Sequence, residues 1–396
     1  MLYDYMRRKA FNMSNGFLSF VQGDSDSSVG YDMPLIGASL ALLLLGLVMV
    51  ASSSIYIADM RFGDPLFYFW RQFAYVGVGL ALAFVVTQVP MLVWQRLSVP
   101  LLLFGLGLLI WVLIPGLGYE VNGSRRWIVL GGVRLQPSEP VKLLMILYLA
   151  GYLVRRGEEV RFAISGFLKP IAIVCLITGL LLLEPDYGAV VVLFTTVLGM
   201  LFLAGVPLRQ FLLWVIIVTL ALGVLMVLAP YRMARLTTFM NPWTDPFNSG
   251  FQLTQALIAM GRGEFFGVGL GLSMQKLAYL PEAYSDFLFA ILAEELGLVG
   301  VVFVIGLFAF VVWRALAIAM LSERRGLHYA SYLAYGIGLM IAIQASINLG
   351  VNMGLLPTKG LTLPLMSYGG SSVIVTCVML ALLLRVDYEA RLLNEQ

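Results

Sequence analysis

A carboxylate stands where a long polar stretch of this chain meets an apolar one. Asp286 lies in Pro281-Glu-Ala-Tyr-Ser-Asp-Phe287, between the polar stretch 231–285 and an apolar run. An aspartate in that position can act as a general base when partial burial raises its pKa toward neutrality. The alternative is helix capping, because Ser285 and Asp286 are both good N-terminal helix residues and a carboxylate complements the helix dipole. The sequence leaves both roles open.

A second charged pair lies at helical spacing. Glu139 and Lys142 are three residues apart in Gln136-Pro-Ser-Glu-Pro-Val-Lys142. This spacing puts both side chains on one face of a helix, where they can form an ion pair. Such a pair either fixes the packing of helices or belongs to a functional site. Glu294 and Glu295, in a later apolar run, could likewise fix helix packing or belong to a functional site. Neither has an obvious partner nearby in sequence.

Basic residues recur in the polar segments that separate the apolar runs. Guanidinium and ammonium groups bind phosphate oxygens, so together they indicate an anionic ligand such as a lipid phosphate or pyrophosphate. Any one of them can equally be an ordinary loop residue. The set comprises Arg125, Arg126, Arg134, Arg232, Arg235, Arg262, Lys276 and Lys359.

Several other chemistries are excluded or disfavoured. His328 is the only histidine, which excludes His-based zinc sites and Ser-His or Cys-His nucleophilic pairs. Cys175 and Cys377 lie in apolar runs, so a disulfide framework is not expected. The run Gly267-Val-Gly-Leu-Gly271 lacks the preceding strand and the spacing of a phosphate loop, and it predicts a tight surface turn. The net charge of +3 gives no reason to expect a nucleic-acid partner.

The composition determines which elements position these residues. The chain has 396 residues, of which 60% are hydrophobic and 12% charged, and its mean hydropathy is +0.92. A soluble domain typically carries about 25% charged residues. The apolar runs recur in blocks of roughly 17 to 25 residues, the length that crosses a bilayer as a helix. We therefore predict an all-α polytopic membrane protein of about ten spanning helices, with one membrane domain over 34–385.

The distribution of arginine and lysine sets the orientation. Arg7, Arg8 and Lys9 precede the first apolar run, and the positive-inside rule places them in the cytoplasm. The first span is expected to stay in the membrane as an uncleaved anchor. An even number of spans makes both tails, 1–33 and 386–396, cytoplasmic.

Four segments then lie outside and hold the candidate chemistry. The largest, 231–285, connects spans seven and eight. Within it, 250–260 and 270–280 are predicted to form amphipathic helices along the membrane surface. The other three outer segments are 116–137, 184–186 and 353–366.

The motifs of these segments occur together in one known family. They are Asn122-Gly-Ser-Arg-Arg-Trp-Ile128 with Gln136–Lys142, Pro281–Phe287, Leu356-Pro-Thr-Lys-Gly360, and Pro364-Leu-Met-Ser-Tyr-Gly-Gly-Ser-Ser372. Over about residues 34–390 the chain resembles the SEDS family of cell-wall polymerases, named for shape, elongation, division and sporulation. The Thr-Lys-Gly motif and the long polar N-terminus are more similar to the division branch than to the elongation branch. Glu184 stands where the family pattern has glutamine, and we assign it no role.

The resemblance implies peptidoglycan glycosyltransfer from lipid II. Asp286 would remove the proton from the acceptor's sugar 4-hydroxyl, which attacks the anomeric carbon of the lipid-linked donor with inversion. Undecaprenyl pyrophosphate would leave, stabilised by Arg126, Lys359 or a divalent cation such as Mg²⁺. No organic cofactor and no protein-borne metal site are expected.

Other residues are expected to bind substrate. Glu139 and Lys142 would shape a central cavity, and Trp127 would stack on a sugar or line a lipid groove. Ser367 and Tyr368 open the last apolar run, where small residues allow either close helix packing or approach of the backbone to a ligand.

The resemblance also implies a setting in the bacterial inner membrane at the division septum. The expected partners are a class B penicillin-binding protein, which is a crosslinking transpeptidase, and other membrane proteins of the division machinery. Two alternatives remain open: a lipid II flippase, which would need ionisable residues at midplane depth, and a non-catalytic scaffold that activates a partner enzyme.

Overall fold

The computed structural model describes residues 30–121, 124–130, 133–227, 239–248 and 250–393. Most of the predicted cytoplasmic tail 1–33 lies outside these residues, as do the first eight residues of the predicted outer loop 231–285 and the last three residues of the chain.

Long α-helices make up most of the described chain. In chain order they are α1 (Met33–Phe62), α2 (Phe67–Gln88), α3 (Met91–Leu113), α4 (Ser138–Phe162), α5 (Ile164–Leu183), α6 (Tyr187–Leu203), α7 (Leu208–Val227), α8 (Phe251–Gly263), α9 (Leu288–Arg324), α10 (His328–Asn352) and α11 (Gly370–Leu392). Among the described residues, 7 helices are long and apolar enough to cross a membrane, which confirms the fold class. They are α1, α2, α3, α5, α9, α10 and α11.

The remaining predicted spans correspond to α4, α6 and α7. The apolar parts of α6 and α7 are shorter, and α4 carries Glu139 and Lys142. The count of about ten spans therefore stays a prediction, as does the domain boundary at 34–385.

A small sheet lies in the predicted outer segment 116–137, and the sequence did not predict it. Strands β1 (Tyr119–Val121), β2 (Ser124–Leu130) and β3 (Val133–Leu135) pair antiparallel in the order β1-β2-β3. The central strand contains Trp, Ile and Val, which favour strands. The sheet gives Arg126 and Trp127 a fixed position between α3 and α4.

α10 lies at the centre of the bundle. It packs against α4, α6, α9 and α11, and its polar residues Gln344, Asn348 and Asn352 are buried together with its apolar ones. A helix surrounded on several sides can contact segments that are far apart in sequence. This position brings α10 close to the ends of several neighbouring helices.

The helical geometry of α9 is interrupted at Gly297, whose φ of 65° and ψ of −163° are not helical. The loop that follows α8 supplies the missing backbone partners. Val268 N donates to Glu294 O at 3.0 Å, and Leu298 N donates to Glu264 O at 2.9 Å. A buried backbone group without a partner is costly, so these bonds stabilise the break.

The loop 231–285 differs from prediction in its second half. The helix predicted at 250–260 is present as α8. The helix predicted at 270–280 is wrong, because this stretch consists of turns. The glycine run 267–271 does turn sharply, with positive φ at Gly267, Gly269 and Gly271, but it pairs with the break in α9 instead of forming an isolated surface turn.

Candidate active site

Asp286 lies two residues before α9, at the end of a turn that begins at Pro281. Its side chain is partly buried. The N-cap position of α9 belongs to Phe287, whose own side chain makes no capping hydrogen bond. Helix capping, the alternative role for Asp286, is therefore wrong. No hydrogen bond to its carboxylate oxygens is formed within the part of the chain that the structure describes, so the carboxylate can accept a proton from a ligand.

The surroundings of Asp286 stabilise the protonated form of its carboxyl group and so raise its pKa. Burial raises the pKa of Asp286 to about 7, the carboxylates of Glu282 and Asp186 add to the rise, and the guanidinium of Arg126 opposes it. A general base works best when its pKa is near the operating pH. Burial is the largest of these effects on the pKa of Asp286.

Gly360 lies against the carboxylate. A Cβ atom added to Gly360 would be 3.0 Å from Oδ2 of Asp286. The neighbouring Lys359 places its Nζ 5.3 Å from the centre of the Tyr187 ring, at the start of α6. The Thr-Lys-Gly segment and the aspartate, which are about 70 residues apart in sequence, therefore form one site.

Arg126 connects the sheet to the break between α5 and α6. Its Nε donates to Glu184 O at 2.8 Å, and its Nη2 donates to Pro185 O at 2.8 Å. These bonds satisfy carbonyls at the C-terminal end of α5, which have no partner within the helix. A guanidinium has five N–H donors, so these two contacts leave others for a ligand. Trp127 follows on the same strand and is half-buried. The binding roles of both residues stay predictions.

The ion pair predicted between Glu139 and Lys142 is confirmed. Lys142 Nζ lies 2.9 Å from Glu139 Oε1, and it also donates to Gln344 Oε1 at 3.0 Å. Lys142 is fully buried in α4. A buried ammonium needs such partners because an unpaired charge there would be very costly.

Ser367 and Tyr368 form a buried turn before α11. The Ser367 hydroxyl accepts from Leu363 N at 2.9 Å, and the Ser367 carbonyl accepts from Gln72 Nε2 at 3.1 Å. The Tyr368 ring packs 5.6 Å from that of Tyr284, and Tyr368 N donates to Tyr284 O at 3.0 Å. These contacts agree with the packing alternative and tie the turn to the segment of Asp286. Substrate binding by either residue stays a prediction.

Most of the other outer basic residues have partners away from Asp286. Arg125 pairs with Glu120, and Arg134 lies over the Tyr119 ring. Arg262 pairs with Glu294, and Lys276 pairs with Glu295. Arg232 and Arg235 are outside the described residues. Among the described members of the set, Arg126 and Lys359 are the ones that the structure brings to the Asp286 site.

Glu184, the departure from the family pattern, is buried in the break between α5 and α6. Neither of its carboxylate oxygens has a hydrogen-bond partner among the described residues. Burial raises the pKa of Glu184 to about 8, Asp186 adds to the rise, and Arg126 opposes it. Asp186 is instead well bonded, since its Oδ2 accepts from Gln136 Nε2 at 3.1 Å and from Ser138 Oγ at 3.0 Å.

Known proteins resemble this chain over almost its whole length. Residues 33–392 match the FtsW/RodA/SpoVE family model, which is described as a cell cycle protein. The chain belongs to the FtsW/RodA/SpoVE family. A probable peptidoglycan glycosyltransferase FtsW of Nitrosococcus halophilus is 58% identical over 375 residues, covering 95% of this chain and 97% of the relative. The corresponding protein of Legionella pneumophila is 55% identical, covering 91% and 92%.

Solved structures of the family have the same fold. A chain of a peptidoglycan synthase complex, studied for its coordination of polymerization and crosslinking, matches with a TM-score of 0.74 at 32% identity. It covers 91% of this chain and 98% of that one. The rod shape determining protein RodA of Thermus thermophilus matches with a TM-score of 0.67 at 31% identity, covering 90% and 97%.

The site around Asp286 also contains residues that the sequence patterns did not identify. Asn348 Nδ2 and Asn352 Nδ2, both from α10, donate to Asp286 O at 3.1 and 3.0 Å. Isolated amides in an apolar helix belong to no chemical motif, which is why they were missed. The one available signal was their spacing of four residues, which places them on one face of a helix.

We tested whether the side chains fit the divalent cation implied by the family. Among the described residues, no group of three or more His, Cys, Asp or Glu side chains could hold a metal ion. We derive no catalytic step through a cation.

Proposed function

We propose that this chain is a peptidoglycan glycosyltransferase that polymerises lipid II into glycan strands, with Asp286 as general base. One observation carries the assignment of the base. Asp286 is held through its main chain, while its carboxylate has no hydrogen bond within the described chain and a pKa raised to about 7. The names of the relatives, which are probable peptidoglycan glycosyltransferases, support the reaction class.

The reaction is an inverting displacement. Asp286 accepts the proton of the acceptor's sugar 4-hydroxyl as that oxygen forms a bond to the anomeric carbon of the donor. The bond from the anomeric carbon to the pyrophosphate oxygen breaks, and undecaprenyl pyrophosphate leaves with the electron pair. An inverting transfer needs no covalent intermediate, so the absence of a Ser-His or Cys-His pair is no obstacle.

The leaving pyrophosphate needs positive charge nearby. Arg126, on β2 and bonded to the break between α5 and α6, and Lys359, beside Tyr187 at the start of α6, supply it. Fixed cations aimed at developing negative charge lower the barrier without having to reorganise. Trp127, Ser367 and Tyr368 border this region as the proposed contacts to sugar and lipid.

The proposed setting is the bacterial inner membrane, with both termini in the cytoplasm and enrichment at the division septum. The proposed partner is a class B penicillin-binding protein, with further division proteins around it. The similarity to a chain of a synthase complex that couples polymerization to crosslinking supports such a partner.

A lipid II flippase is the second candidate, favoured by one observation. Lys142, Glu139 and Gln344 form a charged, buried group within the helices α4 and α10. Ionisable groups inside a helical bundle often mark a transport path. Asp286, just before α9, Arg126, on β2, and Lys359, between α10 and α11, all lie outside the apolar helices, which favours the polymerase.

Purified protein with labelled lipid II in detergent separates these functions, because no flipping can occur there. We expect glycan chains from the wild type, alone or with its penicillin-binding partner, and none from Asp286→Ala or Asp286→Asn. A wild type that makes no product with the partner present, while a control polymerase does, would contradict the proposal.

A further inference from the structure

Three amide side chains form a ladder along one face of α10. Gln344, Asn348 and Asn352 are four residues apart, so they stack on the same side of the helix. Their side chains are almost fully buried, with exposed fractions of 3%, 2% and 0%. Buried amides are costly unless they are hydrogen-bonded, so their partners show what this face holds.

The outermost amide holds the start of α9. Asn352 Nδ2 donates to Asp286 O at 3.0 Å, and its Oδ1 accepts from Ala290 N at 3.1 Å. The first N–H groups of a helix lack partners within the helix. One side chain thereby fixes both the main chain of Asp286 and the first turn that follows it.

The middle amide joins two segments of the site. Asn348 Nδ2 donates to Asp286 O at 3.1 Å and to Leu361 O at 2.5 Å. Leu361 directly follows Lys359 and Gly360. A single NH₂ group therefore sets the separation between the backbone that carries the base and the backbone that carries the lysine.

The innermost amide extends the connection to α4. Gln344 Nε2 donates to Thr362 O at 3.1 Å, while its Oε1 accepts from Lys142 Nζ at 3.0 Å. Lys142 is in turn paired with Glu139. The buried ion pair is thus connected to the Lys359 segment through one glutamine.

We propose that Gln344, Asn348 and Asn352 are positioning residues that hold Asp286 at a fixed place relative to Lys359 and Gly360. The inference rests on the proposed function, in which Asp286 is the base. Only an amide presents two donors and an acceptor at these positions, so neither a carboxylate nor an aliphatic side chain can replace it. A displacement of about 1 Å at a reacting group can cost on the order of 10²-fold in rate.

The test compares Asn348→Leu and Asn348→Asp with the wild type in the lipid II polymerisation assay. Asp has nearly the shape of Asn but puts an oxygen opposite the carbonyls of Asp286 and Leu361. We expect kcat to fall on the order of 10²-fold in both variants, with KM for lipid II changed far less. Asn348→Asp keeps the test interpretable if the leucine variant folds poorly.

A second readout separates positioning from loss of stability. When Asp286 moves relative to Glu282, Asp186 and Arg126, the pH at half-maximal rate moves as well. Tyr152→Phe is the control, because Tyr152 is also a buried side chain that bonds a main-chain group, Gly166 O at 2.7 Å, and it lies outside the Asp286 site. It should lower the Tm comparably and leave the pH midpoint at the wild-type value.

Two results would overturn the inference, and they are distinguishable. Full kcat and an unchanged pH midpoint in folded Asn348→Asp, with Asp286→Asn inactive, would reject the positioning role alone. An active Asp286→Asn would reject Asp286 as the base and the positioning role with it.

Discussion

Gly360 places its main chain so close to Asp286 that an added Cβ would lie 3.0 Å from the carboxylate oxygen Oδ2. Gly360 has no positive φ among the described backbone outliers, so an alanine there is limited by space and not by backbone conformation. The glycine of the Thr-Lys-Gly motif therefore provides room for the Asp286 carboxylate.

Gly360→Ala should reduce polymerisation without unfolding the protein. The new methyl group would push the Asp286 carboxylate away from its position, and we expect kcat to fall by about 10- to 100-fold. The rate is measured with labelled lipid II. Gly261→Ala in α8 is the control, since a Cβ there meets nothing within 4 Å. Equal rates for the two variants would contradict the role of Gly360.

The polymerisation rate should rise with pH through neutrality. Burial and neighbouring carboxylates raise the pKa of Asp286 to about 7, so the base is increasingly protonated and inactive below that pH. A pH profile of kcat/KM for lipid II, which reports the pKa of the free enzyme, should reach half its maximum near pH 7. A rate that stays constant down to pH 5 would argue against Asp286 as the base.

Arg126→Gln should move that midpoint to higher pH. The guanidinium lowers the pKa of Asp286, so its removal allows the pKa to rise further and more of the base to be protonated at neutral pH. The same variant also loses two bonds to the carbonyls of residues 184 and 185, so a lower Tm is expected. Arg125→Gln, on the same strand but paired with the exposed Glu120, is the matched control and should leave the midpoint in place.

Glu184→Gln should stabilise the protein more at high pH than at low pH. Burial raises the pKa of Glu184 from 4.5 to about 8. Between these values the folded chain holds a proton that the unfolded chain releases, so the wild-type free energy of unfolding falls as the pH rises. Glutamine has no such proton. Apparent Tm values measured from pH 5 to pH 8 should diverge in favour of the variant, and parallel curves would contradict the assignment.

Lys276→Met should destabilise the fold by about 3–5 kcal/mol, because it leaves Glu295 buried without its ionic partner. The two groups are 3.0 Å apart, with side-chain exposures of 6% and 0%. Adding Glu295→Gln should recover part of the loss, and a double-mutant cycle measures the coupling. The exposed pair Arg125–Glu120 is the matched control, where Arg125→Met should cost at most about 1 kcal/mol.

The apolar helices, and the position of Asp286 outside them, could be predicted from the sequence. Runs of bilayer length define helices whatever their partners are, and Asp286 stood at the boundary between two kinds of segment. The ion pair of Glu139 and Lys142 could also be predicted, because its spacing of three residues is local.

What could not be predicted depends on contacts between distant residues. Asn348 bonds to a carbonyl 62 residues away in sequence, so its own neighbours give no sign of its role. The partners of Glu294 and Glu295 are Arg262 and Lys276, which belong to the basic set that indicated an anionic ligand. The sheet around Arg126 could not be predicted because two of its strands have only 3 residues each, too few to show a strand pattern.

The interruption of α9 at Gly297 has a consequence for engineering this chain. Because residues 264–269 bond to specific peptide groups on both sides of the interruption, the number of residues between Gly263 and Lys276 is constrained in a way that an ordinary surface loop is not. A deletion or a peptide tag in that stretch would put every following bond out of register. An epitope for detecting the outer loop is therefore better inserted before α8, where the side chains of Met240 and Phe247 are largely exposed.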